Sequence, residues 1–162
     1  MESCEVVYKT LKKMGIFYDI VEHPPAETTE DADRYIEGRE GVRTKTLFLS
    51  NRKKTAYYLI IMDDKKRLDI KKLEKILDEK SISFCSPKRL VEKMGLVPGA
   101  VSLFGLINNV EHDIRIYLDK EMLSEKFITF HPNDNTKTMF ISIDDIYKFI
   151  SLLGYEYSIL EL

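Results

Sequence analysis

The sequence predicts an α+β fold built on a mixed, mostly antiparallel sheet with flanking helices, and three observations carry that expectation. Many short runs of strand character interleave with amphipathic helical patterns. Two of the runs, "TKTLFLS" and "AYYLIIMD", are joined by the polar turn "NRKKT" and read as a hairpin. Other strands are separated by helices, so crossovers accompany hairpins and the sheet is mixed. At 162 residues and 44% hydrophobic, the chain is long enough for one compact core and short for two, which predicts one domain over residues 1–162.

Taken in order, residues 2–14 place Val6, Val7, Leu11 and Met14 on one helical stripe, with Gly15 as the cap. "IFYDIVEH" is a short strand stopped by Pro24 and Pro25. Thr28, with Asp31 three residues on, opens an acidic helix that ends before Gly38. After the hairpin, "DIKKLEKILDE" repeats Ile70, Leu73, Ile76 and Leu77 at helical spacing behind an Asp69 cap. The strand "SISFC" precedes a short helix opened by Ser86 and Pro87. "LVPGAVSLFGLINN" is punctuated by Pro98, Gly99 and Gly105 and reads as a shaped loop with little regular structure. Strands "IRIYLD", "KFITFH" and "KTMFIS", a helix from Ile143 to Leu153 and a last strand near Tyr157 complete the chain, without internal repeats.

Charge and cysteine usage exclude several classes of function. A net charge of -2 argues against broad coating of nucleic acid. Locally the balance differs. Residues 19–40 hold eight acids against two bases, whereas residues 41–62 hold Arg43, Lys45, Arg52, Lys53 and Lys54 and no acid. With Lys65, Lys66 and Arg67 close behind, these bases read either as solvated surface or as a landing site for phosphates. Cys4 and Cys85 form no Cys-x-x-Cys pair, which fits reduced thiols in a cytoplasmic protein. No basic-then-apolar leader opens the chain and no window reaches bilayer length, so neither targeting nor membrane attachment is expected.

The spacing of His23, His112 and His131 gives no metal motif, and no Walker loop or dinucleotide fingerprint is present, so neither metal nor cofactor is expected. Ser102 is not in a Gly-x-Ser-x-Gly elbow. Three features remain. Strand alternation puts Lys45 on one face with Leu47 and Leu49, where a lysine either snorkels or works. The loop "PGAVSLFG" and the segment "FHPNDNTKT" are the others, each explicable alone as a tight turn or a strand end.

In combination, the order and spacing of these motifs resemble the YbaK and prolyl-tRNA-synthetase-associated editing domain family, over nearly the whole chain. "HPPAETTEDA", the lysine-bearing hairpin, "PGAVSLFGL" and "FHPNDNTKTMFIS" are similar to four family motifs in sequence order, and the His-Pro-Pro opening with Lys-x-Leu-Phe-Leu resembles the free-standing ProX or PrdX branch. The resemblance implies a sheet curled into a distorted barrel. It also implies hydrolysis of mischarged tRNA, with alanyl-tRNA(Pro) the first choice. A cysteinyl- or seryl-tRNA load and a non-catalytic binder of tRNA or synthetase are the alternatives.

By the same resemblance Lys45 is catalytic, and Thr29, Ala32, Gly99, Ala100, Val101, Ser102 and His131 form the substrate pocket. The acceptor end of tRNA is then the partner of Arg52, Lys53, Lys54, Lys65, Lys66 and Arg67, with prolyl-tRNA synthetase a transient one. No side chain in the motifs is an obvious general base, so a positioned water and the substrate's own 2'-hydroxyl are expected to suffice. The chain departs from the family pattern at Leu103, where the loop usually carries proline, and at Thr46, where many relatives carry asparagine.

Overall fold

The computed structural model describes residues 3–162. Helix α1 (Ser3–Met14) buries Val7 and Leu11, and the expected contribution of Glu2 lies outside the described residues. Gly15, at φ +70, ends it, with Ile16 N–H donating back to Leu11 O at 3.0 Å. Strand β1 (Asp19–Glu22) follows, then helix α2 (Thr29–Tyr35), whose Thr28 cap accepts from Asp31 N–H at 3.1 Å. The helix stops three residues short of Gly38.

The hairpin of β2 (Thr44–Ser50) and β3 (Tyr57–Asp63) is organised by Asn51. Its buried amide accepts from Thr55 and Ala56 N–H and donates to Thr55 Oγ1 at 2.7 Å. Helix α3 (Ile70–Leu77), the two-residue β4 (Ser83–Phe84) and α4 (Pro87–Met94) come next, then β5 (Ile114–Asp119), β6 (Phe127–Phe130), β7 (Lys137–Ser142), α5 (Ile143–Leu152) and β8 (Tyr157–Leu160). The segment expected to lack regular structure instead forms a 3-10 helix over Leu103–Asn108, capped by Ser102 Oγ accepting from Phe104 N–H at 3.0 Å. Gly105 permits this packing, since a Cβ there would stand 2.7 Å from Leu96 Cδ1 and 2.8 Å from Met94 Cε.

The expected barrel does not form. The strands make two separate sheets, one ordered β1-β7-β6 and the other β4-β2-β3-β5-β8, with β3-β5 and β5-β8 parallel and the remaining pairs antiparallel. Closure would require β6 to run along the whole outer edge of β2. Among the described residues it meets only the segment at and just before the start of β2, through one parallel bridge, Val42 to Ile128, and the contact of Thr129 with Thr44. Farther along, β4 already occupies that edge at Leu49 and Ser50, and Pro132 ends the strand segment on the β6 side.

The five-stranded sheet is covered on both faces. Phe48, Leu59 and Ile61 face the larger core, shared with the three-stranded sheet, α1, α5 and the 3-10 helix. Leu49, Tyr58, Ile60 and Met62 face a smaller core closed by Leu73 of α3.

Candidate active site

The cleft opens where the two sheets part. Thr44 and Thr129 hold them together: Thr44 N–H donates to Thr129 Oγ1 at 3.3 Å, and the Thr44 hydroxyl donates to Thr129 O. Just beyond this clamp lies a cleft of about 230 Å³, with Thr44, Lys45, Thr46 and Leu47 on the β2 side and Phe130 and His131 on the other. Ala26, Glu27, Thr28, Gly99 and Val101 complete the lining.

Lys45 sits opposite Met62 in the hairpin register, on the face of Leu47 and Leu49 as strand alternation requires. It is half-buried and has no carboxylate in ion-pair reach among the described residues. The open edge of β2 adds a second resource. Phe48 O accepts from Cys85 N–H at 3.0 Å and Thr44 N–H meets Thr129, so the backbone of Thr46, midway between them, also points to that edge. Its N–H and C=O find no partner among the described residues, a donor and an acceptor left for a ligand.

Pro98 and Gly99 are the central residues of a tight turn in which Ala100 N–H donates to Val97 O at 3.1 Å. Gly99 has φ +90, the conformation that the third position of a proline-led type II turn requires. Of the four loop residues expected at the pocket, Gly99 to Ser102, not all leave an N–H for a ligand. Ala100 spends its N–H on the turn, and Ser102 is wholly buried as the 3-10 cap, leaving Gly99 and Val101 at the cleft.

His131 closes the opposite wall. Its Nδ1 lies 3.0 Å from Lys137 O, and a carbonyl can only accept, so Nδ1 carries the proton and Nε2 is an acceptor. Burial lowers its pKa below 6.5, which keeps the ring neutral at pH 7. His23 supports this wall from behind. It stands edge-on to His131 with 6.5 Å between ring centroids, and its ring nitrogens pair with Pro24 O and Thr138 Oγ1, both at 2.9 Å.

One expected position falls elsewhere. Ala32 is 2% exposed and packs inside the fold, with its place at the cleft taken by Ala26. The side chain of Thr29 lies outside the described residues. Leu103 is fully buried in the larger core and does not line the cleft.

The two basic clusters are also separated. Arg52, Lys53 and Lys54 are exposed at the hairpin tip, while Lys65 and Arg67 are exposed beyond its other end, roughly 20 Å away by the rise of a seven-residue strand. Lys66 is held by Asp119 at 3.0 Å and Glu121 at 2.8 Å. Arg43 is likewise occupied, donating to the carbonyls of Ile36, Arg39 and Gly41.

Sequence reasoning missed one pair altogether. Both oxygens of Asp64 are shut off from solvent with no donor among the described residues. Burial, and next the facing Asp33 carboxyl of α2, push its pKa up to about 8. At neutral pH Asp64 therefore keeps its proton. Nothing in their spacing signals this, because residues 31 apart meet only in the folded chain.

The profile described as "Aminoacyl-tRNA editing domain" matches residues 23–149. The chain is 30% identical over 162 residues to the "Prolyl-tRNA editing protein ProX" of Acetoanaerobium sticklandii, covering 100% of this chain and 99% of that relative. It is 28% identical over 150 residues to the "Prolyl-tRNA synthetase associated domain-containing protein 1" of Bos taurus, covering 90% and 87%. A crystal structure of a proposed trans-editing enzyme for prolyl tRNA synthetase superposes with a TM-score of 0.76 at 20% identity, over 100% of this chain and 98% of that one, and shares its fold.

Proposed function

Because this chain belongs to the aminoacyl-tRNA editing domain family, we propose that its cleft hydrolyses the ester of mischarged tRNA, with alanyl-tRNA(Pro) as the principal substrate. In reaction class the chain is a hydrolase of the editing type, a trans-editing enzyme of the prolyl-tRNA synthetase system. The observation that carries the reading is Lys45, a half-buried cation at the cleft with no carboxylate partner among the described residues.

In this reading the Lys45 ammonium faces the scissile carbonyl oxygen or the terminal phosphate and stabilises charge that develops in the transition state. The N–H groups of Thr46, Gly99 and Val101 supply further donors. A water activated with the help of the ribose 2'-hydroxyl adds to the carbonyl carbon, the bond to the ribose oxygen breaks, and that oxygen takes up the proton. His131 Nε2, an acceptor at neutral pH, receives a hydrogen bond from the substrate's α-ammonium.

Size supplies the need for such a site. A missing methylene is worth only about 1–3 kcal/mol in a synthetase pocket, and a second site that admits the smaller product removes the error. The wall of Ala26, Gly99 and His131 receives alanine and excludes the proline ring.

The partner is the acceptor end of tRNA, with prolyl-tRNA synthetase engaged transiently. Exposed Arg52, Lys53, Lys54, Lys65 and Arg67 are the phosphate contacts. Residues 1–162 act as one editing unit in the cytoplasm. Among the described residues no helix is long and apolar enough to cross a membrane.

The test is a panel of alanyl-, cysteinyl-, seryl- and prolyl-tRNA scored for release of free amino acid. Rapid release from alanyl-tRNA(Pro) with prolyl-tRNA(Pro) spared is expected. Preferential release of cysteine or serine would reassign the load, and no release from any would leave a tRNA-binding relative without hydrolysis.

A further inference from the structure

The cleft does not end at Leu47. A second cavity of about 210 Å³ continues along the open edge of β2, sharing Thr46, Leu47, Gly99 and Val101 with the first. Its outer walls are Phe84 and Cys85 on one side and Pro87, Leu90 and Pro98 on the other. The lining is apolar, and Phe84 on the edge strand β4 is 55% exposed, a large ring left in water beside the groove. Single exposed apolar residues are ordinary on protein surfaces. Here the elements walling the groove also leave Val91 and Val97 exposed.

Charge completes the picture. The positive charges of Lys54 and Arg89 both bear on the Cys85 thiol in the groove wall. Lys54 reaches back from the hairpin tip to within 3.4 Å of Ser50 Oγ, and Arg89 is paired to Glu92 on α4. Along the edge of β2 the order is therefore aminoacyl-sized cleft, apolar groove with an exposed aromatic ring, basic hairpin tip. A tRNA acceptor end presents the same order: amino acid, terminal nucleoside, phosphate.

We propose that this groove seats the terminal adenosine of the acceptor end, its base stacked on Phe84 and the phosphate that follows it directed to Lys54. The inference rests on the deacylase reading and names the subsite that reading lacks. Stacking on an aromatic ring accepts any base with a π-face and gains most from a purine. The groove therefore recognises the end shared by all tRNAs, and selection among tRNAs falls to surfaces beyond it.

The chain contains no tryptophan, so Phe84→Trp places a single reporter in the groove. Titration with the trinucleotide CCA should quench its emission saturably, and CCU less well. A tryptophan at Val110, which is 89% exposed and outside the groove, should not respond. On alanyl-tRNA(Pro), Phe84→Ala should raise KM roughly tenfold with kcat held, and Phe84→Tyr should restore it. Unchanged emission of the Phe84→Trp protein in CCA, or wild-type KM in Phe84→Ala, overturns the proposal. The quenching arm needs no turnover, so a protein that hydrolyses no mischarged tRNA would sink the deacylase reading while quenching still decides the groove.

Discussion

Ala26 and Asn135 exchange two hydrogen bonds across 109 residues of sequence: Ala26 N–H donates to Asn135 O and Asn135 Nδ2 donates to Ala26 O, both at 3.1 Å. This reciprocal pair carries the contact between the β1 and β7 segments past Pro24 and Pro25, two residues out of the strands' own register, and so fixes the segment that lines one side of the cleft. Asn135→Ala leaves the carbonyl of a buried residue without its donor. A loss of about 1–2 kcal/mol in urea unfolding is expected, together with slower deacylation from a loosened wall. Unaltered stability and turnover would mean that the pair does not position the cleft.

Lys45→Ala should lower deacylation by about two to three orders of magnitude, the usual effect of removing one group that stabilises transition-state charge. Since Lys45 has no ion pair to lose among the described residues, the melting temperature should stay near that of the wild type. Turnover within a few-fold of wild type would remove it from the chemistry.

Charge reversal should separate the two basic clusters. Lys53→Glu, at the exposed tip, should weaken tRNA binding and flatten its salt dependence by about one unit of slope. Lys66→Ala should cost stability, about 2 kcal/mol, because Asp119 is buried and loses a charged donor. Binding assays at two salt concentrations, run beside unfolding curves, check both. An affinity loss confined to Lys66→Ala would reverse the assignment.

Leu103→Pro should destabilise the fold by about 2–4 kcal/mol, since a fully buried leucine is replaced by a smaller ring and a cavity remains in the larger core. Thermal unfolding measures this directly. A variant as stable as wild type would show that the core closes around proline at that position.

The Asp33 and Asp64 pair makes stability depend on pH. The folded pKa of Asp64, about 8, lies above its ordinary 3.8, so the native state keeps a proton that the unfolded chain releases. That contribution is complete below about pH 4 and is lost as pH rises to about 8. Asp64→Asn carries no charge at any pH. The variant should exceed wild type by about 1–2 kcal/mol at pH 8, with the gap closing toward pH 5. Parallel stability curves would show that Asp64 holds no such proton.

The sequence by itself determined the local elements and the identity of the motifs. β2, β5 and β7 begin and end where the alternation of Thr44–Ser50, Ile114–Asp119 and Lys137–Ser142 ends, and Thr28, Asp69, Ser86 and Ser142 cap helices through their own side chains. Such features depend on residues a few positions apart, and a linear pattern carries them. Lys45 was legible for the same reason, since its face follows from strand period alone. Tertiary structure decided whether edges closed. Two sheets joined only around Val42 and Thr44 leave an open edge where a barrel would have none, and that edge holds the cleft, the free Thr46 backbone and the groove beside Phe84. It also moved Ala32 and Leu103 into the interior, tied Lys66 to Asp119 and brought Asp33 to Asp64. Each of these depends on contacts between distant segments, whose energies arise only once the layers have packed.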